Sequence, residues 1–373
     1  MAPSPFMAIA LCLGLLALMV AASRWAAKLT PEDYVGRGLN AHNQGQYELA
    51  LAEFDRAVGQ DPQAPEAFFN RAQTLAKLDR LDAAIRDLNA VIALRRDFPD
   101  AYNQRAALYA RQDNHGLAAA DYGEAIRQTS YDDQAYLGRA NAYHALGLIG
   151  EALDDYDRAL KLNPLDPAIY LNRARAALLA GSPGRALKDY EAAFARGLDP
   201  MLYCERAGVW TELGRWDEAE ADYGRAIDGA RSNMPTAERS ALYRSRSAAR
   251  CHLSEYEAAL SDCEQALALT AESFDYLLRA SILHNLKRYD EALADYDLVL
   301  ATAPSGDAYM RRGMTYQALE RYEQAIADTT QALAMDPGNA WAYNNRGFVY
   351  ACLRRYQEAL ADYERAERLG LND

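Results

Sequence analysis

One segment, residues 340–369, constrains the chain most, because its pattern recurs through nearly all of the sequence that precedes it. Aligned on this segment, nine earlier copies begin mostly 33 or 34 residues apart. A period of this length is typical of a solenoid, in which stacked supersecondary units replace a single globular core. The ten copies begin at Pro31, Pro65, Pro99, Asp133, Pro167, Pro200, Ser240, Ser273, Gly306 and Ala340.

Small residues stand at fixed positions within each copy. Position 20 is Ala in all ten copies, position 8 is Gly, Ala or Ser, and position 27 is Ala except at Val91 and Val299. Small side chains at these spacings let two antiparallel helices approach closely. Aromatic residues at position 4, such as Tyr34, and large apolar residues at position 21, such as Leu51, fill the layers between pairs of helices. Each copy is therefore predicted to be a helix hairpin.

With Pro at position 32 in several copies (Pro62, Pro164, Pro304 and Pro337), this pattern resembles the tetratricopeptide repeat family over residues 31–369. The resemblance implies an all-α fold, a right-handed superhelical solenoid of antiparallel helix hairpins. In this chain we expect one N-terminal hydrophobic helix before the solenoid. The resemblance also implies that the first helices of successive repeats line a concave surface that binds protein partners.

Composition supports helices and argues against nucleic acid as a partner. The chain is rich in Ala, Arg, Asp, Glu and Leu, which favour helix. No window has the alternating β-branched pattern of a sheet. The net charge is -13, and basic residues are interleaved with acidic ones at fixed repeat positions instead of forming a stripe. We therefore predict no nucleic-acid partner.

The N-terminal segment Phe6 to Ala22 lies outside the repeats and consists of apolar or small residues, near the lower limit for a membrane-spanning helix. Two interpretations are open. A cleaved signal peptide would have a suitable small-residue exit at residues 20–22, but no Lys or Arg precedes the segment. An uncleaved anchor would have Arg24 and Lys28 on its C-terminal side, which predicts cytoplasmic repeats. We favour the single-pass anchor; the alternative is a periplasmic or secreted product.

An insertion after the sixth repeat suggests a division of the array. Residues 231–236 lengthen that repeat to 40 residues, and Glu220 occupies position 21, where the other copies have Leu, Ile or Ala. A poor interface between neighbouring repeats decouples the two sides of a solenoid. We predict a targeting segment at 1–29, repeats one to six at 30–239, and repeats seven to ten at 240–373. A slightly longer second helix without a hinge is the alternative.

Opposite charges recur at two repeat positions. Position 7 is Arg in every copy, and position 23 is Glu53 in the first copy and Asp in the other nine. A charge at a partly buried helix junction needs a partner, and an Arg–carboxylate pair can be bidentate. We interpret these residues as structural ion pairs, not as a ligand groove. Whether each pair closes within a repeat or joins neighbours is left open by the sequence.

The sequence contains none of the searched catalytic motifs: no phosphate-binding loop, dinucleotide fingerprint, nucleophile turn or HExxH zinc motif. The five histidines are scattered over five repeats, and the cysteines have no zinc-binding spacing. We therefore predict no catalytic residues, cofactor, metal or small-molecule substrate. The function predicted is a non-catalytic scaffold for protein partners, anchored at a membrane. The alternatives are an exported repeat protein of an envelope assembly and a regulatory subunit of a separate enzyme.

The family resemblance places repeat positions 2, 5, 9, 12 and 13 on the concave surface. In the first repeats these positions include Glu32, Val35, Glu66, Phe69, Gln73, Asn103 and Arg111, and in the middle also Arg175 and Leu179. Large apolar side chains on such a surface often mark protein interaction sites. The candidate partner-binding residues are Leu137, Leu171, Leu178, Met310, Met314, Trp341, Asn344 and Phe348.

The sharpest hypothesis concerns the C-terminal repeats. Met310, Met314, Trp341 and Phe348 are predicted to form an anchor pocket for a helix or an extended peptide of a partner. The alternative is that the two aromatic residues only complete packing at the last repeat. The carboxylate clamp of chaperone-binding family members is not supported, because position 5 is basic only at Arg244.

Overall fold

The computed structural model describes residues 29–197, 199–230 and 234–371, and over these residues the chain is an array of stacked helix hairpins. The predicted all-α repeat fold is confirmed. The hydrophobic segment Phe6 to Ala22 lies outside the described residues. Within the described part of the chain, no helix is both long and apolar enough to cross a membrane.

The helices form two compact units, one ending at Arg196 and the other beginning at Gly197. Unit 1 contains five hairpins. Their helices are α1 (Pro31–Asn43), α2 (Tyr47–Gln60), α3 (Pro65–Lys77), α4 (Leu81–Leu94), α5 (Pro99–Arg111), α6 (His115–Gln128), α7 (Asp133–Ala145), α8 (Ile149–Leu162), α9 (Pro167–Leu179) and α10 (Pro183–Phe194).

Unit 2 begins with a 3-10 turn, Pro200–Leu202, and contains five further hairpins. Its helices are α11 (Tyr203–Glu212), α12 (Trp216–Asp228), α13 (Thr236–His252), α14 (Tyr256–Leu269), α15 (Ser273–Asn285), α16 (Tyr289–Thr302), α17 (Gly306–Ala318), α18 (Tyr322–Met335), α19 (Ala340–Cys352) and α20 (Tyr356–Arg368). The longest is α13, which begins one turn before the repeat start expected at Ser240.

The hairpins stack in chain order within each unit. The second helix of one hairpin packs against the first helix of the next. Successive first helices also contact each other directly; for example, α1 contacts α3, and α17 contacts α19. The Ala at position 20 is buried in all ten repeats, as the close approach of the paired helices requires. The first helices α1, α3, α5, α7 and α9 of unit 1 therefore form one continuous face, and α13, α15, α17 and α19 of unit 2 form another. We call each of these the inner face of its unit.

Each hairpin turns through one left-handed residue at position 15. Its φ lies between +57° and +75° in all ten repeats. Gly adopts this conformation without a steric penalty, but L-residues with a Cβ do not. Glycine marks the turn in four repeats, and six repeats use another residue: Asp79, Asp113, Ser254, Lys287, Glu320 and Arg354.

The recurring charges at positions 7 and 23 form bidentate pairs within single repeats. In nine repeats the Arg Nε donates to Asp Oδ2 and Nη2 donates to Asp Oδ1, at distances of 2.6–2.9 Å. The Asp side chains are buried. The predicted structural pairing is confirmed here for Arg71–Asp87, Arg105–Asp121, Arg139–Asp155, Arg173–Asp189, Arg206–Asp222, Arg246–Asp262, Arg279–Asp295, Arg312–Asp328 and Arg346–Asp362.

The first repeat departs from this rule. Glu53 accepts a hydrogen bond from Arg56 Nη1 at 2.7 Å, and its other carboxylate oxygen is buried without a partner among the described residues. Arg37 is exposed. The longer Glu side chain thus forms a different pair from the Asp of the other repeats.

Five of these nine arginines also join neighbouring repeats. The remaining nitrogen, Nη1, donates to the side chain at position 25 of the preceding repeat: Arg71 to Asp55, Arg105 to Asn89, Arg173 to Asp157, Arg312 to Asp297 and Arg346 to Thr330. One guanidinium therefore closes its own hairpin and links it to the previous one.

The junction between repeats six and seven lies inside unit 2. Glu220 of α12, the residue that suggested a poor interface, accepts hydrogen bonds from Arg250 of α13 at 2.6 and 3.0 Å. Arg250 also donates to Asp262 at 2.8 Å. The predicted division between residues 239 and 240 stays a prediction.

Candidate functional site

Inner-face residues of α1, α3, α5 and α7 line two adjacent cavities in unit 1, of about 380 and 360 Å³. Both cavities include Gln104 and Ala107 of α5, so together they form one depression, the unit 1 groove. The other lining residues are His42, Gln73, Ala76, Lys77, Leu108 and Arg111 in the first cavity, and Asn103, Tyr122, Gln134, Leu137, Gly138 and Asn141 in the second.

Small residues line this groove. A Cβ added at Gly138 would lie 2.3 Å from the ring of Tyr122, so the ring occupies the space that a side chain would need. Ala76 and Ala107 present only methyl groups at positions where longer side chains stand in other repeats. The cavity volumes fall within the range of about 300–1,000 Å³ that is typical of ligand-binding clefts.

Amide side chains give the groove hydrogen-bonding capacity. Asn103 donates from Nδ2 to Asp132 Oδ2 at 2.5 Å, and because an ionised carboxylate only accepts, this contact fixes the orientation of the amide. Asn141 accepts a hydrogen bond from the Tyr156 hydroxyl at 2.7 Å. Gln104 and Gln134 line the same cavity. Amides supply both donors and acceptors, the groups that match a peptide backbone.

Three basic residues gather at the α1 to α5 end of the groove. They are His42, Lys77 and Arg111, each in the last turn of its helix. Arg111 donates to Asp79 at 2.6 Å and to the Ala76 carbonyl at 3.3 Å. Lys77 is exposed, and no carboxylate lies within 4.0 Å of its ammonium group among the described residues.

A histidine–threonine link joins neighbouring first helices in both units. Nδ1 of His42 lies 2.8 Å from Thr74 Oγ1, and that of His284 lies 2.9 Å from Thr315 Oγ1. Each Thr hydroxyl donates to the carbonyl four residues earlier, so it accepts from the imidazole. The link therefore places the proton on Nδ1.

The two linked imidazoles differ in their surroundings. Burial lowers the pKa of both below 6.5, and the nearby charge of Lys77 lowers the pKa of His42 further. No such cationic effect acts on His284. Over the described residues, no group of three or more His, Cys, Asp or Glu could hold a metal ion.

The predicted binding residues of unit 1 have different degrees of exposure. Leu137 lines the groove and is half-buried. Leu178 is also half-buried, whereas Leu171 is only 8% exposed and offers little surface to a partner. Leu179, at the end of the same helix, is exposed.

The predicted residues of unit 2 lie on two first helices that contact each other, α17 and α19. Met314, Trp341 and Phe348 are 40%, 62% and 49% exposed, and Met310 is half-buried. Spacings of three, four and seven residues place Trp341, Asn344 and Phe348 on one face of α19. We call Met314, Trp341 and Phe348 the apolar patch.

Asn344 belongs to a different depression. It lines a cavity of about 470 Å³ together with Leu360, Tyr363, Glu364, Ala366, Glu367 and Leu371, next to α20. The hypothesis of a single anchor pocket formed by the Met and aromatic residues stays a prediction. The apolar patch is an exposed surface beside that cavity.

The described cysteines differ in accessibility. Burial raises the pKa of Cys251 to about 11 and that of Cys263 to about 12. Burial also raises the pKa of Cys204. Cys352 is exposed and follows Phe348 by four residues on α19, so the two residues lie on the same face of the helix. The reactivity of the Cys352 thiol can therefore be used to probe that face.

Sequence reasoning named Gln73, Asn103, Arg111 and Leu137 as concave residues but gave no weight to the polar groove that they form. It did not select Lys77, Gln104, Gln134 or Asn141. Repeat register could have pointed to the amides, because position 6 is Asn70 and Gln104 in the second and third repeats, and position 9 is Gln73 and Asn141 in the second and fourth. The His–Thr link also has a signal, a His at position 12 followed by a Thr at position 10 of the next repeat.

Comparisons with known proteins agree with this architecture. Models of the tetratricopeptide repeat match residues 35–102, 134–165, 171–235, 276–305, 306–339 and 329–361, which together cover more than half of the chain. No curated protein matches significantly.

Two solved structures are among the matches. The C-terminal part of a TPR repeat-containing protein from Cytophaga hutchinsonii is 18% identical, with a TM-score of 0.52, covering 64% of this chain and 97% of that one. MamA from Desulfovibrio magneticus is 16% identical, with a TM-score of 0.43, covering 44% of this chain and 94% of that one. At 18% identity, the likeness to the Cytophaga hutchinsonii protein concerns the fold alone.

Proposed function

This chain belongs to the tetratricopeptide repeat family, and from that premise we propose that it is a non-catalytic scaffold that holds partner proteins on the inner faces of its repeats. We further propose that Phe6 to Ala22 anchors it in a membrane, with the repeats in the cytoplasm. The partner is a helix or an extended peptide segment of another protein.

The observation that carries this proposal is the apolar patch. Two aromatic side chains and a Met remain substantially exposed on the inner face, while the small residues at the hairpin interfaces are fully buried. Exposed apolar clusters on soluble surfaces often mark interaction sites, and aromatic residues dominate binding energy where they become covered. Half-buried Met310 on α17 adds a flexible thioether beside the patch.

The test replaces both Trp341 and Phe348 by Ser in the full chain and measures co-purification of partners from the native cell. We expect partner recovery to fall at least about tenfold, because two apolar anchors are lost. The matched control replaces Tyr131 and Leu165, which are 84% and 75% exposed but lie in turns, by Ser. The control should leave recovery unchanged.

Far-UV circular dichroism accompanies the capture experiment. Unchanged helicity with lost capture supports the interaction surface. Loss of folding would favour the packing interpretation of the two aromatic residues, and full capture by the double variant would contradict the proposal.

The membrane anchor is tested separately by cell fractionation and N-terminal sequencing of the product. An intact Phe6 to Ala22 segment in the membrane fraction, with repeats shielded from protease added outside, is the expected result. A soluble product that begins near Ser23 would contradict the anchor and make the chain an exported binding protein.

A further inference from the structure

The basic end of the unit 1 groove is a local exception in an acidic protein. The chain carries a net charge of -13, yet Lys77, Arg111 and His42 line one cavity without a carboxylate among its lining residues. Charges farther away than about 8 Å are largely screened at physiological ionic strength. A ligand inside this cavity therefore meets chiefly these three groups and the Asp79 carboxylate, which is paired with Arg111.

The ion pairs of the fold leave part of this charge uncompensated. Arg111 is engaged by Asp79, whose side chain is largely exposed in the turn after α3. Lys77 has no such partner within the described part of the chain. The site therefore retains about one positive charge when His42 is neutral.

A structural explanation exists for the position of these residues, and it makes a different prediction. Cations in the last turn of a helix are stabilised by the helix dipole. In that case removing Lys77 would lower stability slightly and would change no binding. The dipole does not account for the adjoining amides of Gln73 and Gln104, which line the same cavity.

We propose that this end of the groove binds a carboxylate side chain of an extended, acidic segment of a partner protein. Lys77 and the remaining donors of Arg111 contact the carboxylate, and Gln73 and Gln104 hydrogen-bond the segment's backbone. These basic residues occupy position 13, not the clamp position 5 that is basic only at Arg244. The inference rests on the proposed function, because it specifies the chemistry of a protein partner.

The test uses the full chain and a fluorescein-labelled decapeptide of alternating Glu and Ser, with the Gln and Ser decapeptide as its uncharged counterpart. Fluorescence anisotropy should show binding of the Glu peptide only. Lys77→Glu should weaken it about tenfold or more, since a charge-assisted contact becomes a repulsion. Lys77→Arg should retain binding.

Of two further variants, one should tighten binding of the Glu peptide and the other should leave it unchanged. Asp79→Asn should tighten binding about twofold, because it releases Arg111 from an exposed ion pair. Lys188→Glu makes the same charge change as Lys77→Glu on exposed α10 and should have no effect. Thermal unfolding of each variant separates lost binding from lost folding.

Several results would overturn the inference. The inference fails if the chain binds both peptides equally well or does not bind the Glu peptide at all. It also fails if Lys188→Glu weakens binding of the Glu peptide as much as Lys77→Glu does. Finally, it fails if an oligothymidylate of the same length binds more tightly than the Glu peptide and its binding depends on Lys77. Partner capture from cells distinguishes this failure from that of the proposed function. If the Lys77→Glu chain captures its partners normally, only the acidic-segment inference fails, whereas absence of any captured partner contradicts the scaffold itself.

Discussion

Unit 1 and unit 2 share one internal skeleton but present different chemistry on their inner faces. In both, buried Arg–Asp pairs close the hairpins and a His–Thr link joins neighbouring first helices. Unit 1 surrounds a groove with amides and basic side chains, whereas unit 2 exposes the apolar patch. The difference arises at positions 2, 5, 6, 9 and 13, which the hairpin interfaces leave free to vary.

This comparison separates two kinds of constraint. Positions 7, 8, 20, 23 and 27 pack between helices, so each unit repeats them with little variation. The inner-face positions meet solvent or a ligand, so their chemistry can change without disturbing the array. One solenoid backbone can thus carry two surfaces of different chemistry, a groove with amides and basic side chains in unit 1 and exposed large apolar side chains in unit 2.

The largest expected effect tests whether the skeleton is equivalent in both units. Asp155→Ala in unit 1 and Asp328→Ala in unit 2 should each cost about 3–5 kcal/mol, because each strands a partly buried Arg. Urea unfolding followed by circular dichroism measures the loss. Glu53→Ala, at the same repeat position but paired with exposed Arg56, should cost about 1 kcal/mol or less. If the Asp→Ala substitution strongly lowers the free energy of unfolding in only one unit, the Arg–Asp pairs of the two units are not equivalent.

Thiol reactivity examines the inner face of unit 2. In the full chain at about pH 8, iodoacetamide should modify Cys352 about a hundredfold faster than Cys251 or Cys263, since burial raises the pKa of both slow thiols. Peptide mass spectrometry identifies the modified sites. Alkylated Cys352 should hinder partner capture at the apolar patch without changing binding of the Glu peptide in unit 1. Loss of both activities would show that the two surfaces are not independent.

A smaller effect concerns the His–Thr links. Thr74→Val and Thr315→Val keep the side-chain shape but remove the acceptor of the imidazole N–H, so each should cost about 1 kcal/mol. Chemical denaturation of the two variants measures the losses side by side. A stable Thr315→Val variant beside a destabilised Thr74→Val variant would show that the link matters in unit 1 alone.

The smallest effect distinguishes the electrostatics of the two links. Because the pKa of both imidazoles is lowered on folding, the unfolded chain binds protons more readily, and stability should fall as pH drops below about 6.5. Lys77→Met should raise the pKa of His42 towards 6.5 and leave that of His284 unchanged. Histidine NMR titration measures both shifts. If Lys77→Met shifted the pKa of both imidazoles equally, Lys77 would not act on His42 alone.

Some candidate-site features could be predicted from sequence and others could not. Trp341 and Phe348 were identifiable because large aromatic residues are unusual at inner-face positions, and the structure leaves them exposed. The unit 1 groove was missed because Gln104 and Asn141 resemble ordinary surface amides. Their significance comes from the cavities that share Ala107, which exist only after the helices pack.

The sequence alone determined the ten hairpins, because close helix packing requires small residues at a fixed period and every copy has them. It also determined that charges at positions 7 and 23 needed each other. Only the tertiary structure decided that each Arg–Asp pair closes within its own repeat. It also decided that Nη1 of arginines such as Arg71 and Arg173 reaches the preceding repeat. Spacing along the chain is similar for both pairings, and the choice depends on the distances that helix packing sets.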